Sequence, residues 1–438
     1  MTNTSSNTNI LSDLGLEITS QSIAALTNPA INGSEYWNLT KSTQGSANFH
    51  AAWNYATGAG VTIGLVDEGV NYAHLDLAGN YDVSIDFDPR DDIAAFDAHP
   101  DSSSEVHGTE VAGVIAGSAA NDFGTIGAAP EATITASYLR YGNAFSLDEI
   151  GAIFAHQSAY DVSNNSWGFT AAFADNFSHA YFAPLADGIE AAASSGRGGL
   201  GTAMVFAAGN GKLMVGGQNI GDDSNFHSLS NSRFGIAVGA HDSEGRAAVF
   251  SSPGSNVLIS APGVGLLTTG GTAAGAMGST YVSGTSFAAP MVSSAIALML
   301  DANANLGYRD IQEILAISAD PTIGPSAIAN AAGNMNGGGL VFDREIGFGN
   351  LNALSAVSLA RNWTAQSTAA NEAHLSSDFI VPLSADPSSQ SLSLDLLPTG
   401  TGFSLDHVSL TLNLIDADLD DLRIELTSAA GTTVLIAP

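Results

Sequence analysis

The chain predicts an α/β fold, a doubly wound and mostly parallel sheet with helices on both faces, followed by a partial all-β, sandwich-like module. Three observations carry that expectation. Continuous apolar runs of the kind buried on both sheet faces recur at Val61 to Val66, Thr133 to Ser137, Asp161 to Asn165, Ala203 to Ala208, Gly235 to Val238 and Val257 to Ile259. Helix-like stretches lie between or after them, at Glu110 to Ala116, Leu147 to Gln157, Ala186 to Ser194 and Ser286 to Leu300, and this alternation marks a doubly wound layer. After Trp363 the texture changes to short alternating segments, FIVPL, SLSLDLL, VSLTLNLI and LRIELTS, with no helix pattern between them. The plan is therefore a flexible polar lead over 1–20, a large α/β domain over 21–364, a linker over 365–373 and a β module over 374–438.

Composition narrows the partners. Length alone, 438 residues, favours one large domain plus a smaller one. The 43 acidic and 11 basic side chains give a net charge of −32, which repels nucleic acid and anionic membrane and favours divalent cations and cationic substrates. Adaptation to a salty or calcium-rich medium explains the same charge. Cysteine is absent, which removes thiol catalysis, cysteine-ligated zinc and disulfides but leaves export open. No stretch reaches the roughly 18 consecutive apolar residues of a membrane span. Met1 to Ser20 has no basic start and no long apolar run, so an ordinary secretory signal is not expected there.

Four short motifs carry chemistry. The strand VTIGLV ends in Asp67-Glu68-Gly69; HGTEVAGVIAG puts His107 at a helix start; GTSFAAPMV puts Ser286 at a helix N-terminus; AMVFAAGNG ends a strand at Asn210. A serine hydroxyl needs an imidazole to take its proton, and the imidazole needs a carboxylate on its far nitrogen. An asparagine amide can then donate to an oxyanion. Ser166-Trp167-Gly168, in SNNSWG, reads as an edge that pairs with an extended peptide. Taken singly, each aspartate is a turn former and each Gly-Thr-Ser a helix cap; the four together point to catalysis. His74 reads as structural. His99 and His156 lack ligand spacing and no HExxH occurs, which disfavours zinc.

These stretches, with GLVDEGVNYAHLDLAGNYD and GFGNLNALSAVSLARNW, resemble a subtilase of the kexin/furin proprotein-convertase branch over nearly all of Asn28 to Trp363. The tail DHVSLTLNLIDADLDDLRIELTSAAGTTVLIAP is similar to the first half of that branch's P (Homo B) domain. The resemblance implies a serine endopeptidase with Asp67, His107 and Ser286 as triad and Asn210 in the oxyanion hole. It also implies a Ca2+ site carried by Asp76, Asn121 and backbone carbonyls of Ser118, Phe123 and Thr125, with Asn28 in place of a carboxylate from the N-terminal arm. Asp88, Asp91 and Asp92 offer either a second, weaker site or a solvated acidic loop; Asp416, Asp418 and Asp420 read as a solvated turn. The implied partners are protein or peptide substrates and an external folding helper or inhibitor, since no long pro-segment precedes the core. The implied location is secreted or cell-surface. The P-domain portion is too short to close a sandwich, so it is expected to continue past Pro438.

The departures concern specificity. Convertases read arginine with aspartates beside a calcium ion, but the residues after SWG are Phe169, Thr170, Ala171 and Ala172. His227 stands where another pocket aspartate is expected, and Ser252 near a calcium-binding glutamate. Glu68 keeps an acid bordering the second pocket. A first pocket without carboxylates, cutting after apolar or mixed residues, is expected unless Asp175, Asp222 or Asp223 folds back into it. Two other classes stay open: a nucleotide-binding α/β enzyme, disfavoured by the missing GxGxxG, and a catalytically silent subtilase-fold binding or adhesion protein, disfavoured by the intact motifs.

Overall fold

The computed structural model describes residues 34–89, 97–119, 121, 124–142, 146–215, 218–271, 278–322, 327–331, 339–374, 376, 406–411, 423–428 and 430–437. The lead over 1–20, Asn28, Asp91, Asp92, Phe123 and the aspartates at 416, 418 and 420 lie outside them, as do most of the β segments expected after residue 376.

The large domain alternates strand and helix as expected: β1 (Thr62–Asp67), α1 (His107–Ala116), β2 (Thr133–Tyr138), α2 (Leu147–His156), β3 (Val162–Asn165), α3 (Ala183–Gly199), β4 (Ala203–Ala207), β5 (Gly235–His241) and β6 (Val257–Pro262). The six strands form one sheet in the order β2-β1-β3-β4-β5-β6, and every neighbouring pair is parallel. Side chains alternate between two cores: Val205 of β4 belongs to one apolar cluster, Met204 and Phe206 to the other, as the two-residue period of a strand requires. The strand order reverses at β1, which lies between β2 and β3. Ligands of such sheets bind outside the carboxyl ends at that reversal.

Local chemistry sets the helix ends. Ser146 caps α2 with a reciprocal pair, its Oγ accepting from Glu149 N at 3.2 Å while Glu149 Oε2 accepts from Ser146 N at 2.7 Å. Helix α1 begins at His107, not at Glu110, because Glu68 Oε1 accepts its first free backbone N–H at 3.0 Å.

Three elements were not anticipated. A hairpin, β7 (Val264–Gly270) and β8 (Gly278–Ser283), and the helices α5 (Tyr308–Ser318) and α6 (Ala353–Ala360) complete the domain, with α4 (Thr285–Ala302) running between hairpin and α5. The 18 residues of α4 are long and apolar enough to cross a membrane, yet 83% of them are buried inside the protein; a helix apolar on all sides is a core helix here. The hairpin holds α1: Thr268 and Thr269 donate their hydroxyls to Glu110 O and Thr109 O, each at 2.6 Å.

The stretch read as a linker is strapped to the body. Ser367 N donates to Asp310 Oδ2 at 2.9 Å, Arg309 reaches Asn371 Oδ1 at 3.0 Å, and Arg233 pairs with Glu372. Beyond it, β9 (Ile424–Thr427) and β10 (Thr433–Ala437) pair antiparallel, and Asn225 Nδ2 donates to Ile436 O at 3.1 Å.

Gly113 makes the hairpin contact possible. A Cβ there would meet Thr269 Oγ1 at 2.2 Å, Thr268 Oγ1 at 2.5 Å and Thr269 N at 2.7 Å. Gly113→Val should cost about 1–3 kcal/mol or more in chemical denaturation. Adding Thr269→Ala should not restore it, because the backbone nitrogen still clashes. An unchanged midpoint for the single variant would rule this contact out.

Candidate active site

The carboxyl edge of the sheet gathers the motif residues. Asp67 ends β1 and is wholly buried. Its carboxylate accepts from His107 Nδ1 at 3.0 Å on both oxygens, from Glu68 N at 2.9 Å and from the Tyr141 hydroxyl at 2.8 Å. That bond puts the proton of a neutral imidazole on Nδ1 and leaves Nε2 as the basic nitrogen. Burial alone would lower the His107 pKa, but the Asp67 charge and hydrogen bond outweigh it and raise the pKa above its ordinary value.

Ser286 is the second residue of α4 and is half-buried. Phe287, next along, places its ring 5.4 Å from the imidazole. The Ser286 hydroxyl is turned to Ser166 O at 3.1 Å, and the Ser166 hydroxyl donates to Ser286 O at 2.7 Å. The second bond has a covalent cause. Pro290 lies inside α4 and has no N–H, so the carbonyl four residues back loses its helical donor. Ser166 supplies the replacement.

Asn210 follows β4. Its Oδ1 accepts from Thr285 N at 2.9 Å and Thr285 Oγ1 at 3.0 Å, which directs the amide NH2 away from Thr285. A Cβ on Gly284 would lie 3.7 Å from both Asn210 Nδ2 and Ser286 N. Two N–H donors thus flank one point beside a helix N-terminus, the environment that stabilises a developing negative oxygen.

A cleft of about 350 Å³ opens beside them, lined by Ser166, Trp167, Gly168, Phe169, Asn210, Asp222, His227 and Ser286 among others. Ser166, Trp167 and Gly168 line it, and Gly168 is exposed. Glu68 is buried, with Oε1 occupied by His107 N, so it anchors α1, a role its sequence position did not announce. Burial raises its pKa, partly offset by that N–H.

The pocket itself is a correction. It was expected to lack carboxylates unless Asp175, Asp222 or Asp223 folded back into it, and the second case is the one found. Asp222 lines it, and His227 is bonded on both nitrogens, Nδ1 to Asp175 at 3.2 Å and Nε2 to Asp222 at 2.9 Å. The loop after Asn210 closes on itself to do this. Asn219 Oδ1 accepts from Leu213 N and Gly221 N, and Asp222 N donates to Gly211 O at 2.8 Å.

Past the C-terminal end of α1, at the far end of that helix from His107, Asp76 is wholly buried. Asn121 Nδ2 and Thr125 N each donate to it at 2.8 Å, and Ser118 N bonds its backbone oxygen at 2.9 Å. A Cβ on Gly124 would fall 1.8 Å from its Oδ2. Among the described residues no lysine, arginine or histidine forms an ion pair with Asp76, and no three His, Cys, Asp or Glu side chains converge as a metal site. The groups shown around it donate N–H bonds and no cationic side chain pairs with it, so the buried carboxylate keeps a negative charge that a hard cation would balance.

The fold and this edge define a subtilase. A profile of the Subtilase family matches residues 58–349, and the chain belongs to that family. Within it the chain is similar to neuroendocrine convertase 2 of Homo sapiens, 28% identical over 411 residues that cover 89% of this chain and 61% of the relative. The chain thus spans about six-tenths of the length of such curated relatives. Among solved structures, the serine protease of Aeromonas sobria aligns with TM-score 0.65 at 24% identity, over 80% of this chain and 70% of that one. That protease, also solved with a chaperone, aligns there with TM-score 0.65 at 22% identity over the same shares. At these identities the likeness establishes the fold.

Removing the Asp67 charge leaves burial as the largest influence on His107. Asp67→Asn should therefore lower the His107 pKa from its raised position. An NMR titration of the imidazole checks this, and an unmoved pKa would contradict the pairing.

Proposed function

We propose that the chain is a serine endopeptidase that cleaves protein or peptide substrates through an acyl-enzyme on Ser286. The observation that carries the reading is the convergence of Asp67, His107, Asn210 and Ser286 on one sheet edge. His107 Nε2 takes the Ser286 proton as the hydroxyl swings from Ser166 O and attacks the scissile carbonyl. Asp67 holds the imidazole and stabilises its charged form. Asn210 Nδ2 and Ser286 N receive the oxyanion, and His107 then protonates the leaving amine. Ser166, Trp167 and Gly168 offer the backbone edge for the substrate strand, and Glu68 supports His107 from behind. The presence of all four motif residues favours this reading over the silent-binding alternative.

Calcium is assigned a stabilising role. Asp76, Asn121 and the carbonyls of Ser118 and Thr125 would hold it, with Phe123 and Asn28 as further ligands. When bound, the ion supplies the positive charge that the Asp76 carboxylate lacks. We also assign residues 21–364 as the peptidase domain, 1–20 as a polar lead, 365–373 as the connection and 374–438 as part of a P domain. The charge of −32 suits a secreted or cell-surface enzyme in a salty medium, and an external folding helper has a precedent in the chaperone solved with the Aeromonas sobria protease.

A fluorophosphonate probe should label the wild type at Ser286 and leave Ser286→Ala unlabelled. Asn210→Ala should keep the label while kcat drops ~10²–10³ with little change in KM, a magnitude known for such a donor in subtilisin rather than obtained from this chain. A folded wild type that resists labelling would refute the activity.

Chelation should lower the melting temperature, since an ion bound only by the native state stabilises it by mass action. Added calcium should restore the melting temperature, and Asp76→Ala should abolish both responses. A melting curve indifferent to chelator and calcium would remove the assignment.

A further inference from the structure

The cleft beside Ser286 has apolar walls, including Trp167, Phe169, Phe206 and Leu229, and one charged cluster at its end. In that cluster His227 lies between two carboxylates. Nδ1 faces Asp175 Oδ1 at 3.2 Å, and Nε2 faces Asp222 Oδ1 and Oδ2 at 3.0 and 2.9 Å. Asp175 is wholly buried and held by Leu229 N at 2.7 Å on its other oxygen. Asp222 Oδ1 also accepts from Asp223 N at 2.9 Å. Asp175 is closed off from solvent, whereas Asp222 lines the cleft with 22% of its side chain exposed.

We propose that His227 is a specificity-determining residue: clamped between Asp175 and Asp222, its imidazolium is an internal counter-charge that turns the pocket away from cationic side chains and toward apolar or long uncharged ones. The inference rests on the peptidase reading and adds the residue that sets its first pocket. A cationic side chain entering the cleft would meet Asp222 already paired, and would bring a second positive charge beside His227. Repulsion by His227 acts at the same range as attraction by the two carboxylates, so the imidazolium cuts the cluster's net charge from −2 to −1 and weakens its pull on a cation. An apolar side chain meets the aromatic walls and leaves the clamp untouched.

The clamp is charged at neutral pH. Burial alone would lower the His227 pKa, but hydrogen bonds and charges from Asp175 and Asp222 override it and raise it to about 9. Among the described residues, Asp175 and Asp222 are the titratable groups within bonding distance. The next charges are Asp223, which pairs with Arg344, and Lys212, which pairs with Glu345 at 2.5 Å. The imidazolium therefore loses its proton as pH rises through about 9, and the pocket then becomes more negative.

The test compares two peptides that differ only in the residue preceding the scissile bond, leucine or arginine. Arginine serves because it stays charged across the range, whereas lysine titrates near ~10.4. Wild type should show the higher kcat/KM on leucine. His227→Asn keeps an amide donor in the place of Nδ1 but removes both the charge and the bond to Asp222. It should raise the arginine-to-leucine ratio of kcat/KM by about tenfold or more, and adding Asp222→Asn should reverse most of that gain. Should His227→Asn fail to fold, the wild type suffices: its ratio should climb from about pH 7 to about pH 10.5, in step with the His227 titration followed by NMR. A ratio that is flat with pH, unmoved in folded His227→Asn, or already in favour of arginine in wild type overturns the proposal. Fluorophosphonate labelling of Ser286 is independent of the pocket, so an unlabelled wild type would instead indict the peptidase reading.

Discussion

The constraint on which the site depends is a carboxylate taken wholly out of water. Asp67 sits at the carboxyl end of a strand packed on both faces, and a buried charge costs several kcal/mol unless it is paired and bonded. Its neighbours are arranged to meet that demand. His107 Nδ1, Glu68 N and the Tyr141 hydroxyl all donate to it. Bringing the imidazole there requires α1 to start against β1, and that is why position 108 carries no side chain: a Cβ on Gly108 would lie 2.1 Å from Gly69 O and 3.2 Å from Asp67 Cβ. Glu68 then closes the arrangement by accepting the His107 backbone N–H. Tautomer, ring placement and helix start are consequences of one buried charge.

The serine side solves a different problem with equal economy. Pro290 deprives Ser286 O of its helical partner, and Ser166 repairs the loss at 2.7 Å. Asn164 donates to the Ser166 hydroxyl at 2.9 Å and accepts from Ser293 at 2.8 Å. A chain of buried polar groups therefore ties β3 to two turns of α4. It holds the Ser286 backbone to the same segment, Ser166 to Gly168, that lines the cleft. Motion of one relative to the other would break several buried bonds at once, and each unsatisfied group carries its own cost.

What the text of the chain disclosed follows from the range of the interactions. Six strands and four helices were legible because apolar period and Gly-Thr or His-Gly starts are local. Asp67, His107, Asn210 and Ser286 were legible because each occupies a short motif at an element end. The β7–β8 hairpin was not, since its glycines and threonines read as loop until they are seen packed on α1. Thr285, which aims the Asn210 amide, was inside a quoted motif but carried no mark of that task. Tyr141 follows β2 by a few residues, and the rule that ligands gather at carboxyl ends was the one signal that could have flagged it. Asp222 had none. Its place in the pocket depends on Asn219 and Gly211 closing the loop with short-range bonds of an irregular pattern, which no regular spacing announces.

The pocket and the surface pull in opposite senses, and range decides between them. A net charge of −32 attracts cationic chains over distances comparable to the Debye length, about 8 Å at physiological salt. That attraction raises encounter rates and weakens as salt is added. Inside the cleft the balance is set by contacts of about 3 Å between His227 and its two carboxylates, where screening by mobile ions hardly reaches. A molecule can therefore gather basic polypeptides at its surface while declining a basic side chain at the bond it cuts. The contact that shapes the pocket therefore does not depend on the field that salt removes.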